Sequence, residues 1–150
     1  MDIDIIIPIY NAFDFVKKCI ETVIEHTDLT QHTLLLVNDK STDERILPLL
    51  NSFIKENQSL NIILIDNKDN QGFVRTVNIG MQYSHHDVVL LNSDTEVTRN
   101  WLSKIQNCAY SKPAVATVTP LSNNATLASV PIFLAENTIP PGLSVEEYAD

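Results

Sequence analysis

At 150 residues the chain is long enough for one domain with a real core. Its 44% apolar share and mean hydropathy of −0.01 describe a soluble globular chain, and no run approaches the roughly 18–20 apolar residues of a membrane span. A formal net charge of −9 argues against a nucleic-acid partner, which needs a basic face, yet leaves room for an anionic nucleotide whose phosphates a metal ion screens.

The N-terminus, MDIDIIIPIY, lacks the basic start of a signal peptide, so the expected compartment is the cytoplasm. Residues 3–10, IDIIIPIY, form a short β-branched run that predicts a strand buried on both faces. Residues 12–26 then place Phe13, Val16, Cys19, Ile20, Val23 and Ile24 on one helical stripe, with Asn11 as the expected N-cap. HTLLLVND (32–39) repeats the strand pattern, and a helix is expected over 46–57 with Pro48 in its first turn. LNIILIDN (60–67) predicts a third strand, and 72–84 a third helix with Phe73, Val77 and Met81 inward. DVVLLN (87–92), WLSKIQNCAY (101–110) and AVATVTP (114–120) read as strand, helix and a fifth strand. Beyond residue 120 the pattern dissolves into proline-rich, irregular sequence, with a short helix at 144–149 as its one candidate element. Alternation of strand and helix predicts an α/β fold: a mostly parallel sheet with helices on both faces and ligands outside the carboxyl ends of the strands.

The first four predicted strands end in polar residues. The ends are Pro8-Ile9-Tyr10-Asn11, Asn38-Asp39-Lys40-Ser41-Thr42-Asp43, Asp66-Asn67-Lys68-Asp69-Asn70 and Asn92-Ser93-Asp94-Thr95-Glu96. Any one of these loops is ordinary strand-to-helix chemistry, since Asp and Asn cap helices and make turns. Four on one rim are a different matter, because parallel strands gather them around one crevice. Asp94 and Glu96 repel each other unless a cation separates them, and Mg²⁺ or Mn²⁺ favours carboxylate and phosphate oxygens.

Two of the three glycines fall in NQGFVRTVNIG (70–80). Gly72 suits a tight turn at a helix start. Gly80 sits inside a helix at a cost of about 1 kcal/mol against alanine, which points to close packing. Arg75 is either a phosphate contact or a surface charge. Cys19 and Cys108 lie in apolar helical patterns and are expected as buried free thiols. His85 and His86 are adjacent, without a third histidine nearby, and read as an exposed connection rather than a metal pair.

The segments IIIPIYNA, LLVNDKSTD, NQGFVRTVNIG and VVLLNSDTEV, in this order and spacing, resemble the family 2 glycosyltransferases of GT-A fold, in their rhamnosyltransferase-like branch. The resemblance runs over residues 3–145, and VTPLSNNATLASVP (118–131) belongs to it. It implies a GT-A (Rossmann-like) sheet, with residues 1–120 as the nucleotide-sugar-binding domain and 121–150 as the irregular start of an acceptor-side region that is cut short. It implies that Pro8, Ile9 and Tyr10 hold the nucleoside and that Asp39 contacts a pyrimidine base. Asn70, Gly72, Arg75 and Ser93 border the nucleotide, and Asp94 is the last acid of a metal-binding DxD motif. Here that motif reads Asn92-Ser93-Asp94, so its first acid is an amide; Glu96 is left open between a second metal contact and a cap.

The implied reaction is metal-dependent transfer of a sugar from a UDP- or dTDP-sugar to a hydroxyl of a saccharide or lipid-linked acceptor, with inversion, in cell-surface polysaccharide synthesis. That setting is the cytoplasm, with a peripheral position at the inner membrane face also open. No familiar base motif surrounds Glu136, Glu146, Glu147 or Asp150, so the general base is expected beyond residue 150. A non-catalytic nucleotide-sugar-binding fragment is the alternative. A dehydrogenase needs GxGxxG after a strand, which is absent. A nucleotidyltransferase wants a glycine-rich loop after the first strand, where PIYNAFD has none, and a receiver domain leaves NQGFVRTVNIG unexplained.

Overall fold

The computed structural model describes residues 1–123, 129, 132, 134 and 137–149. The chain divides into two compact units, Met1–Val97 and Thr98–Asp150.

The first unit alternates strand and helix as the sequence predicts: β1 (Ile3–Ile9), α1 (Phe13–His26), β2 (Thr33–Asn38), α2 (Ile46–Glu56), β3 (Ile62–Asp66), α3 (Phe73–Tyr83) and β4 (Asp87–Leu90). All four strands are parallel, in the order β3-β2-β1-β4. In register, Ile6 stands opposite Leu35 on one side and Leu90 on the other. Every residue of β1 is buried, as the continuous apolar run requires of a strand covered on both faces. The chain steps from β1 to β2 to β3, then returns past β1 to β4, so the direction of winding reverses between β1 and β4. With right-handed crossovers, α1 and α2 lie on one face and α3 on the other.

α3 packs on β1 and β2. Below it Ile6, Leu35 and Val37 form a buried cluster, joined by Ile65, Ile79 and Val88. Gly80 explains the close approach. A Cβ there would stand 2.6 Å from Ile6 Cγ2 and 3.2 Å from Val37 Cγ2. The helix therefore turns its small residues to the sheet. Thr76, Val77 and Gly80 are buried, whereas Phe73 and Met81, expected inward, are 60% and 46% exposed. Helical periodicity finds the stripe of large apolar residues, but sterics at the strand crossing select the small ones.

Three further expectations change. Asn11 is not the cap of α1: that position is Ala12, without a side-chain cap bond, and the Asn11 side chain bonds across to the loop after β2. Cys19 is buried as expected, but Cys108 is exposed. Residues 114–120 pair with no strand among the described residues and are almost wholly exposed. Ala114 opens the segment at φ +89°, which breaks the extended run at its first residue.

In the second unit, α4 (Trp101–Ala109) appears where predicted. α5 (Val145–Ala149) begins with a capping box: the Ser144 N–H donates to Glu147 Oε2 at 2.9 Å, and the Glu147 N–H donates to Ser144 Oγ at 3.2 Å. Glu146 accepts from Arg99 Nε at 2.7 Å. Buried Asn137 donates to Ser129 Oγ at 2.7 Å and to the Ile132 carbonyl at 3.0 Å. No helix among the described residues is long and apolar enough to cross a membrane.

Candidate functional site

The carboxyl ends of β1, β2, β3 and β4 share one rim, and the reversal between β1 and β4 opens the crevice where parallel sheets bind ligands. The four polar strand ends named above line this rim, and three of them are bonded to one another.

Asp39 is the centre of that network. It follows β2 directly and is only 3% exposed. Its own N–H donates to the Ile9 carbonyl at 2.8 Å, which continues the β1–β2 ladder to the rim. Its carboxylate accepts from the Gln71 N–H at 2.7 Å, the Gly72 N–H at 2.8 Å and Asn67 Nδ2 at 3.0 Å. Asn67 Nδ2 also reaches Thr76 Oγ1, at 3.3 Å. Burial works against the charge, but the bonds from Gln71, Asn67, Thr76 and Gly72 outweigh it and hold the pKa below the ordinary carboxylate value. Asp39 is thus an ionised acceptor that pins the first residues ahead of α3. Gly72, at φ +76°, makes the turn that presents both N–H groups. Asn70 closes the loop: its Nδ2 donates to the Asp39 carbonyl at 3.3 Å, and its Oδ1 accepts from the Gly72 N–H at 3.2 Å.

The loop after β4 is held from behind by α1. The Cys19 thiol donates to the Asn92 carbonyl at 3.5 Å, and the Val97 N–H donates to Thr22 Oγ1 at 3.2 Å. Between these anchors the Thr95 N–H returns to the Asn92 carbonyl at 3.1 Å, closing a turn. Asn92, Asp94 and Glu96 are exposed on it and Ser93 is partly buried. Burial pushes the Cys19 thiol up to about 12, helped by the charges of Asp94 and Glu96. The Leu91 N–H donates to the Ile6 carbonyl at 2.9 Å, which fixes this loop beside β1.

The remaining predicted residues fall as follows. Pro8 and Ile9 lie inside β1 with buried side chains, while Tyr10 stands at the rim, 49% exposed. Arg75 is exposed on α3. Sequence reasoning did not single out Asn67, Gln71 and Thr76 as members of the Asp39 network. The available signal was an Asn at or just beyond the end of each of the first three strands, at Asn11, Asn38 and Asn67, each of which bonds to a neighbouring strand end.

Among the described residues no three His, Cys, Asp or Glu side chains come together as a metal set. The Asn92–Glu96 turn instead offers one or two carboxylates with flanking amide and hydroxyl oxygens. That donor set fits a hard cation that takes its other ligands from water and phosphate, as Mg²⁺ commonly does. A separate open groove, lined by Phe13, Glu44, Arg45, Pro48, Leu49 and Ser52, contains none of the strand-end residues described above.

Comparison with known proteins agrees with this geometry. The model of the family described as Glycosyl transferase family 2 matches residues 4–131. Polypeptide N-acetylgalactosaminyltransferase 11 of Xenopus tropicalis is 31% identical over 104 residues, which cover 67% of this chain and 17% of the relative. The mannosyltransferase PcManGT of Pyrobaculum calidifontis, solved with GDP-Man and Mn²⁺, superposes with a TM-score of 0.73 at 17% identity, over 79% of this chain and 35% of that one. S. aureus TarS 1-349, solved with UDP-GlcNAc, gives 0.62 at 17% identity, over 81% and 38%. The chain spans 11–31% of the length of the curated relatives it matches. The four-stranded parallel sheet with its flanking helices is therefore a GT-A fold.

Proposed function

Because the chain belongs to glycosyl transferase family 2, we propose that it is the donor-binding part of an enzyme that moves a sugar, with inversion, from a UDP- or dTDP-sugar to a hydroxyl of a saccharide or lipid-linked acceptor. One observation carries this reading: the ends of β1, β2 and β3 are cross-bonded around ionised Asp39, beside a β4 turn that exposes Asp94 and Glu96. The first group is a preformed wall for a nucleoside, and the second is a place for a phosphate-bound cation. Tyr10, with half its surface open, supplies an aromatic face for the base. Pro8 and Ile9 contribute through backbone position, since their side chains are buried. Asn70, Gly72 and Ser93 border the nucleotide, and Arg75, exposed on the first turn of α3, is the candidate phosphate contact.

Asp94 would hold Mg²⁺ or Mn²⁺, with Glu96 as the second candidate. When bound, the ion supplies neutralisation of the diphosphate leaving group. No residue of this chain is assigned as the general base that takes the acceptor proton. A cytoplasmic setting suits the two free thiols. The rhamnosyltransferase-like branch and a role in surface polysaccharide rest on the motif resemblance alone.

A non-catalytic sugar-nucleotide-binding module is the second reading, favoured by the amide Asn92 in place of an acid. Calorimetric titration with UDP and dTDP, with and without Mn²⁺, tests the donor site. Metal-dependent binding that disappears in Asp94→Ala is the expected result. Absence of binding by the folded chain to either nucleotide would overturn it. Sugar transfer by the full-length protein then separates the two readings.

A further inference from the structure

β1 leaves the sheet through two consecutive left-handed residues, Asn11 at φ +60° and Ala12 at φ +56°. Neither is glycine, and such a turn persists only when its surroundings hold it. The loop after β2 provides the hold. The Asn11 N–H donates to Ser41 Oγ at 2.9 Å. The Asn11 Oδ1 accepts from the Thr42 N–H at 2.8 Å, the Asp43 N–H at 2.9 Å and Thr42 Oγ1 at 3.2 Å. One side chain therefore gathers three donors from a segment thirty residues away.

The receiving loop is fixed on its other side. The Ser41 N–H donates to Asn38 Oδ1 at 3.2 Å, and Asn38 Nδ2 donates to Asp66 at 2.7 Å. Lys40 takes the strained position between, at φ +57°. Asp43 also grips Arg45 at 2.7 Å, which ties the far end of the loop to the start of α2. The clamp thus sits between Tyr10 on one loop and Asp39 on the other.

We propose that Asn11 is a positioning residue for the donor nucleotide: it sets the separation of Tyr10 and Asp39, and hence the width of the slot between them, without touching the acceptor chemistry. This rests on the nucleotide reading above. It assigns Asn11 a role distinct from helix capping. An alanine there leaves two backbone N–H groups without their acceptor and lets the left-handed turn relax, so the slot opens.

The test uses two readouts on the same chain. Amide hydrogen exchange needs no ligand and reports the clamp; UDP and dTDP titration with Mn²⁺ reports the slot. Asn11→Ala is expected to speed exchange at Thr42 and Asp43 by at least tenfold and to weaken nucleotide binding by at least tenfold. Asn11→Asp retains the accepting oxygen and is expected to keep slow exchange at both amides and to bind uridine, which carries no phosphate charge, as the wild type does. Ser41→Ala removes only the acceptor of the Asn11 N–H; if Asn11→Ala fails to fold, it should show the same two effects at smaller size.

Unchanged exchange at Thr42 and Asp43 in a folded Asn11→Ala would overturn the clamp. Faster exchange with nucleotide affinity within twofold of wild type would reduce Asn11 to architecture and overturn the positioning role. Faster exchange in Asn11→Ala alongside a wild-type chain that binds no nucleotide would sink the nucleotide reading and this role with it, while leaving the loop clamp standing.

Discussion

Removing the Asp39 carboxylate is the sharpest perturbation of the rim. In Asp39→Ala, the Gln71 N–H, the Gly72 N–H and Asn67 Nδ2 lose their acceptor together. A hydrogen bond to a charged group contributes about 1.5–3 kcal/mol, and a stranded buried donor costs about 1–3 kcal/mol. Water can reach the rim and rescue part of this, and ionised Asp39 no longer has to be buried, so a net loss of roughly 3 kcal/mol is expected. Asp39→Asn retains one oxygen but turns an NH₂ group toward a donor, and should cost roughly 1–3 kcal/mol. Urea unfolding followed by circular dichroism measures both. The same carboxylate sets a pH dependence. Its folded pKa is depressed, so its stabilisation is present above the ordinary carboxylate value and is lost as pH falls through the depressed one. The acid-side decline in stability should therefore be shallower in Asp39→Asn than in the wild type. A loss below about 0.5 kcal/mol in both variants, the scale of an ordinary surface change, would show that Asp39 does not pin the 70–72 turn.

Gly80→Ala should destabilise by about 1–2 kcal/mol, because overpacking costs about 1–3 kcal/mol and the gain in helix propensity returns up to about 1 kcal/mol; thermal unfolding checks it, and a stabilised variant would contradict the close approach to Ile6 and Val37. In the folded chain a disulfide reagent should modify Cys108 alone, since Cys19 is buried with its thiol pushed up to about 12, and urea should release the second thiol. At the opposite end of the sheet, buried Asp4 accepts from Ser84 Oγ at 2.7 Å and lies 3.3 Å from His86 Nδ1. Burial opposes its charge, but bonds from Ser84, His86, Thr33 and His85 lower its pKa, so Asp4→Asn should reduce stability at neutral pH and lose that effect in acid.

The sheet was legible because its signal is local. Runs such as IIIPI and LLLV fix buried strands by themselves, and turn residues mark their ends. What escaped depends on contacts far apart in sequence. Asn11 carries a capping residue's chemistry, yet its partners lie thirty residues on, and nothing local distinguishes the two uses. Phe73 and Met81 satisfy helical periodicity better than Thr76 and Gly80 do, but the strand crossing beneath α3 leaves room only for the latter. AVATVTP has the composition of a strand, but a strand also needs a partner edge, which composition does not encode. For the site, residue types placed acids and amides on one rim. The Asp39 bonds to Gln71 and Gly72, which give its charge a structural role, appear only in three dimensions.

The most direct test of the donor-site assignment is a ¹H–¹⁵N titration of the folded chain with UDP and dTDP in the presence of Mg²⁺. The account predicts shifts concentrated in Tyr10–Ala12, Asp39–Asp43, Asn70–Gly72 and Ser93–Glu96, at the carboxyl ends of the strands. Shifts confined to Asp4, Thr33, Ser84 and His86 at the other end of the sheet, or no shifts with either nucleotide, would contradict it.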